Sequence, residues 1–327
     1  MTVLISGGTG FVGLNLAEAL LRRGDRVVLF ALDAPPAPAL RHFATLPGEL
    51  VLERGDVLDT DAFAACLQRH HVDRLFPFAA VTSGPDRESE TPETVIQVNL
   101  LGFVSQMRAA RAADVRRVVA PSSGAIYGES AYRPGPLTEA DTPPVPITIY
   151  GVTKYAVERS ALRLGALWGI DTVVARIGAV FGPWERDTGL RDSLSPFWQV
   201  ERLAREGKPA ILPTELPPYD WIYARDAAAG LLHLMDLADP PHRVFNVASG
   251  RQWHGALLDW CRHLSTIHPG FDWQQSPDPA RCTVRLADTK PRAPVGIGRI
   301  GSTGWRPSFT QESALADYLA WSQAQTG

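Results

Sequence analysis

Val3-Leu4-Ile5-Ser6 runs directly into Gly7-Gly8-Thr9-Gly10-Phe11-Val12-Gly13, and this junction decides the fold. The first four residues form a short apolar run of strand type, and helical period begins at Phe11. Between them glycine recurs at 7, 10 and 13. Gly7 permits a tight turn, Gly10 lets backbone approach a pyrophosphate, and Gly13 lets the helix pack closely on its sheet. The helix N-terminus then turns free N–H groups and a positive dipole end toward the phosphates. Turns use glycine for many reasons. Its place between a strand and a helix, however, predicts a dinucleotide site built on Gly7, Gly10, Phe11, Val12 and Gly13.

Outward from this junction the pattern repeats. Val3–Ser6, Arg26–Ala31, Leu50–Gly55, Arg74–Phe78, Val115–Pro121 and Thr172–Ile177 read as strands, with helices near 11–23, 59–70, 92–113 and 149–168. Such alternation predicts an α/β fold: a Rossmann-type, doubly wound parallel sheet with helices on both faces. Several strand runs are apolar throughout, as strands covered on both faces are. After about residue 178 the rhythm breaks, and proline thickens at Pro209, Pro213, Pro217 and Pro218. The expectation is a dinucleotide-binding domain over 1–178 and a smaller substrate-binding lobe over 179–327, interleaved with the end of the sheet. Helical period returns over Gln311–Gln323. The proline-rich Pro134–Pro146 stretch precedes the 149–168 helix and reads either as an ordered rim of a site or as a spacer.

Bulk properties narrow the function. The 327 residues are 45% hydrophobic, which suffices for one sizeable core with a smaller lobe attached. A formal net charge of -3 argues against a nucleic-acid or membrane-surface partner. No apolar run approaches the length of a membrane span, and Met1 leads straight into a strand rather than a signal peptide. Cys66, Cys261 and Cys282 are too scattered for a disulfide framework or a zinc site. Reduced thiols in a cytoplasmic protein are expected. The eight histidines suggest no metal site; His263 and His268 read as structural or exposed.

At the end of the second strand Asp33 is the acidic residue available to accept from the adenosine ribose hydroxyls, and no arginine stands nearby in sequence for a 2′-phosphate. That favours NAD over NADP. Asp56 reads either as an acceptor for the adenine amino group or as the cap of the helix near residue 59. Tyr150 and Lys154, four apart on a predicted helix, share one face. A phenol, with a pKa of about 10, is a poor base at neutral pH, but a neighbouring ammonium and a positive nicotinamide ring stabilise its phenolate. Tyr150 would then take a proton from a substrate hydroxyl while hydride leaves the same carbon. Ser122 and Ser123 follow the fifth strand at the carboxyl edge of the sheet. Ser123 is the residue expected to orient the reacting oxygen; the alternative is that both serines merely turn the chain.

Taken in order, Gly7-x-x-Gly10-x-x-Gly13, Gly55-Asp56-Val57, Ala79-Ala80, Val98-Asn99, Ser122-Ser123-x-Ala125-x-Tyr127-Gly128 and Tyr150-x-x-x-Lys154 resemble the extended short-chain dehydrogenases/reductases, the NAD-dependent epimerase/dehydratase family. The resemblance continues through Arg176, Phe181-Gly182-Pro183, Asp220-Trp221-Ile222-Tyr223-x-Arg225-Asp226, Phe245-Asn246-Val247-x-Ser249-Gly250 and Gly304-Trp305-Arg306-Pro307. It implies Ser123, Tyr150 and Lys154 as the catalytic triad. It also implies Val57, Ala79, Ala80 and Asn99 around the cofactor, and a homodimer formed through the helices near 92–113 and 149–168.

Three departures shape the functional expectation. Phe78 stands where a histidine often precedes the alanine pair. Ala31 stands where the second-strand acid is usual, with Asp33 displaced beyond it. Ala179 stands where nucleotide-sugar enzymes commonly use an asparagine on the substrate diphosphate. Gly124 and Ala125 after the serine argue against dehydration. Val81-Thr82-Ser83-Gly84 is more similar to members that oxidise free sugar acids, making Thr82 and Ser83 substrate candidates. Arg186, Arg191 and Arg225 are candidates to pair with a carboxylate or phosphate, although a lone arginine is more often solvated surface. The expectation is an NAD-dependent oxidoreductase acting on a secondary hydroxyl (or lactol) of a sugar, sugar acid or polyol. Its alternatives are a nucleotide-sugar epimerase and, more remotely, a non-catalytic NAD-binding sensor.

Overall fold

A computed structural model describes residues 1–286 and 288–325. Its first half alternates as the sequence predicts: β1 (Thr2–Ser6), α1 (Phe11–Arg22), β2 (Arg26–Ala31), α2 (Ala37–Phe43), β3 (Glu49–Arg54), α3 (Thr60–Arg69) and β4 (Arg74–Pro77). Two short helices, α4 (Pro85–Glu90) and α5 (Pro92–Ile96), lead to α6 (Gly102–Ala112), β5 (Arg117–Ser123), α7 (Ile149–Trp168) and β6 (Asp171–Ile177). The chain continues through β7 (Ala179–Phe181), α8 (Pro196–Arg205), β8 (Ala210–Pro213), β9 (Trp221–Tyr223), α9 (Ala224–Asp236) and β10 (Val244–Val247). Last come α10 (Ala256–Ile267), β11 (Trp273–Ser276), α11 (Gly298–Ser302) and α12 (Gln311–Ala324).

Seven strands make one sheet in the order β3-β2-β1-β4-β5-β6-β10, every pair parallel. Successive residues of β1 and β2 alternate between two cores. Val3, Ile5, Val27 and Leu29 pack with α1, α2 and α9. Leu4, Val28 and Phe30 face α3, α6 and α7. The strand period of two therefore buries every side chain of a strand that has helices on both faces. Strand order reverses between β1 and β4, and in open parallel sheets ligands sit outside the carboxyl ends at such a point.

The segment expected as one helix over 92–113 is interrupted. Gln97–Leu101 is a π turn between α5 and α6, where one extra residue widens the coil. A separate aromatic-rich core gathers residues beyond 180, including Phe181, Phe197, Trp253, Trp260 and Tyr318. Trp260 and Tyr318 stack with ring centroids 4.5 Å apart. The described residues include no helix long and apolar enough to cross a membrane.

Candidate active site

The glycine loop is tightly constrained. Gly7 takes φ +62, and a Cβ there would stand 2.7 Å from the Ala79 Cα. A Cβ on Gly13 would stand 2.8 Å from both the Gly7 carbonyl oxygen and the Gly8 Cα. Gly10 caps α1 with no side chain on the first-turn amides, leaving those donors for an anion. Loop and sheet edge together open a cleft of about 610 Å³. Gly7, Gly10, Phe11, Val12 and Gly13 line one end, with Asp33, Asp56 and Val57 beside them. Ala79, Ala80 and Thr82 line the middle, facing Ser123, Tyr150 and Lys154.

Asp56 does not cap the following helix. Its carboxylate accepts from the Leu58 amide at 2.9 Å, and Asp59 is the cap, accepting from Ala62 at 3.0 Å. Phe78 and Ala179 both reach the cleft wall.

The two serines part company as β5 ends. Ser122 is buried and donates to Glu158 at 3.1 Å. Ser123 lines the cleft, its hydroxyl accepting from the Ala125 amide at 3.1 Å. Glu158 also holds Arg176 through two bonds of 2.8 and 2.9 Å. Arg176 donates to the Tyr127 hydroxyl, which in turn donates to Asn246. This buried chain ties β5, β6, β10 and α7 together just behind the site. Burial opposes the charge on Arg176, but Glu158 and Tyr127 outweigh it and hold the guanidinium above its ordinary pKa. Sequence reading did not assign this network, because its members are spread over about 120 residues.

Thr148 caps α7 by accepting from Gly151, and Glu88 accepts from the Tyr150 amide at 3.1 Å. Lys154 lies one turn on, its Nζ 5.6 Å from the centre of the Tyr150 ring. It is 5% exposed, and burial depresses its pKa while the neighbouring phenol opposes that shift.

Three candidates are not at the cleft wall. Asn99 sits in the π turn, buried, donating to the Val81 carbonyl at 2.9 Å and to Thr153 at 3.1 Å and accepting from the Val81 amide at 2.7 Å. It braces the wall between Ala80 and Thr82 and the helix that carries Tyr150. The Ser83 hydroxyl donates to Glu88 at 2.9 Å, so it supports the α7 entrance rather than facing substrate. Arg225 corrects the expectation of a substrate arginine. It starts α9 on the α1 side, paired with Asp317 at 2.8 Å and Glu18 at 3.7 Å, because helical period turns it away from Asp220 and Trp221.

Arg186 and Arg191 do reach the cleft. Arg191 is engaged by Glu185 at 3.3 Å and donates to the Ser193 carbonyl at 2.9 Å. Asp220, Trp221 and Trp253 line the far end. Asp220 accepts from Ser249 and from the Val295 amide, and burial pushes its pKa up to about 6 against those bonds. Among the described residues one set of potential metal donors meets elsewhere: Glu53, Cys66 and His70, within 4.8 Å of one another. The grouping is not visible in the sequence, since it joins β3 to the end of α3. Arg69 already pairs with that carboxylate at 2.9 Å.

Residues 3–248 match the NAD dependent epimerase/dehydratase family. The chain belongs to that family. Its cofactor is accordingly NAD, which the Cβ-free cradle at Gly7, Gly10 and Gly13 fits, and the protein is an enzyme of this family. Among curated relatives, sterol demethylase protein B of Methylococcus capsulatus is 31% identical over 82% of this chain and 76% of its own. The UDP-glucose 4-epimerase of Thermotoga maritima, solved with UDP-glucose, superposes over the whole of both chains with a TM-score of 0.81 at 20% identity. The UDP-glucose 4-epimerase of Thermus thermophilus, solved with NAD, covers 99% of both chains with a TM-score of 0.79 at 25% identity.

Proposed function

We propose that this family member oxidises a secondary hydroxyl of a sugar, sugar acid or related polyol, with Tyr150 as the general base. NAD bound in the cleft supplies the hydride acceptor. Ser123 would hold the substrate oxygen toward Tyr150, and Tyr150 would take its proton as the carbon gives up hydride. Lys154 would stabilise the phenolate from one turn away and bind the nicotinamide ribose. In this reading residues 1–178 form the dinucleotide-binding domain and 179–327 a smaller substrate-binding lobe interleaved with the end of the sheet.

The observation that carries the choice of a small substrate is the state of the polar groups beyond the triad. Ala179 offers only a methyl group. Arg191 is engaged by Glu185, and Arg292 donates to the Tyr219 hydroxyl at 3.0 Å. A nucleotide diphosphate wants free cations or amides here, whereas a free sugar acid needs one. The second reading, epimerisation of a nucleotide sugar without net NADH release, is favoured by the epimerases that this chain resembles.

NADH absorbance on mixing with NAD and a panel of free sugars and sugar acids tests the first reading. Accumulation with any of them supports it. Stabilisation against heat by UDP, TDP or GDP sugars alone, with no NADH formed, hands the function to the epimerase. The same reading takes the molecule to be a cytoplasmic homodimer joined through α5, α6 and α7.

A further inference from the structure

Between β7 and α8 the chain crosses from the far end of the cleft to the glycine loop and back, as a strap over residues 183–195. Its first residues are pinned to α1. The Pro183 carbonyl accepts from Asn15 at 2.7 Å, and the Trp184 indole donates to Glu18 at 2.7 Å. Trp184 takes φ +66, a left-handed turn that few bulky residues adopt. Further along, the Leu190 carbonyl accepts from the Thr82 amide at 2.9 Å, and the Thr82 carbonyl accepts from the Asp192 amide at 3.0 Å. Asp192 pairs with Arg87 at 2.7 Å and accepts from the Gly84 amide at 2.8 Å.

Arg186 follows the left-handed turn. One of its terminal nitrogens donates to the Thr9 carbonyl inside the glycine loop at 3.1 Å. Burial lowers the Arg186 pKa, and Asp33, at the end of β2, is near enough for its charge to oppose that shift. The Arg186 Nε is buried and has no acceptor. A buried donor left unmade is costly, and this one belongs to a cation lining the path between the pyrophosphate end of α1 and the ribose end of β2.

We propose that Arg186 is a cofactor-binding residue. Its free Nε donates to the adenosine-diphosphate half of NAD, and the strap thereby closes over the bound cofactor. This replaces the expectation that Arg186 binds substrate. NAD is then held between two parts of the chain that are far apart in sequence, and its release requires the Thr82 and Arg87 contacts to open.

The test is direct titration of the full-length apoprotein with NAD, ADP-ribose and nicotinamide mononucleotide by calorimetry, comparing wild type with Arg186→Met and with Asp187→Ala, an exposed strap position outside the cleft lining. Loss of a charge-assisted bond to the ligand should weaken NAD and ADP-ribose alike by roughly tenfold to a hundredfold. Nicotinamide mononucleotide should be unaffected, and Asp187→Ala should leave NAD within about twofold. The apo unfolding midpoint reports whether Arg186→Met is folded. If it is not, Arg186→Lys, which keeps a charge but loses the Nε donor, is read in the same way. NAD and ADP-ribose affinities within about twofold of wild type in the folded variant overturn the proposal. So does a loss equal to that of Asp187→Ala, which would mean that the strap is merely disturbed.

Discussion

Tyr150 is the proposed general base, and its removal separates function from folding. Tyr150→Phe takes away the proton acceptor and nothing else near Lys154. Turnover should fall by about 10² to 10⁴, with NAD affinity measured by calorimetry kept. Unchanged turnover would remove Tyr150 as the general base. Asp220 gives a second measurement at this scale. Its carboxyl stays neutral in the fold up to about pH 6, whereas the unfolded chain ionises near pH 4. Raising the pH through that window therefore favours the unfolded state. Denaturant titrations should show a downward slope worth up to about 3 kcal/mol between pH 4 and 6, absent in Asp220→Asn. A wild-type curve identical to the variant's would remove Asp220 from the account.

Among the elements, the loop between β1 and α1 is the least forgiving. Gly7→Ala forces a side chain into the left-handed region and against the Ala79 backbone. It should weaken NAD binding and lower the unfolding midpoint together, by about 1 to 3 kcal/mol of stability. A variant with an unchanged midpoint would show that the loop can move aside. The elements were largely legible from sequence. Six strands lie within about two residues of the apolar runs that announced them, because a strand buried on both faces has little room for polar residues. The glycines, Ser123 and Tyr150 also stand out in sequence, since each answers to a local need of backbone or chemistry, and the fold brings them to one cleft. What stayed hidden depends on routing. The π turn at Gln97–Leu101 leaves no periodic mark. Arg186 and Arg225 look alike in sequence, yet a strap carries one to the glycine loop while a helix turns the other toward Asp317.

At the scale of the whole molecule, α5, the π turn and α7 leave Ile96, Leu101, Val152 and Leu167 between 42% and 56% exposed. Apolar side chains standing out from neighbouring helices fit a face that a second copy covers. Light scattering should give twice the chain mass, and Leu101→Glu with Val152→Glu should halve it without changing the unfolding profile of the monomer. A wild-type monomer at micromolar concentration would dismiss the homodimer.

The sheet also carries a consequence for synthesis. Its edge strand β10 comes from Val244–Val247 and pairs with β6, so the strand at the end of the cofactor half waits for a partner made about seventy residues later. Arg117 waits too, because its buried guanidinium donates to the Leu234 and Leu237 carbonyls. A nascent chain halted after residue 178 exposes the whole hydrogen-bonding edge of β6, an invitation to pair with any other strand. Fragments that stop there should precipitate or need a chaperone, while chains carried past Val247 should become protease-resistant in one step on the ribosome.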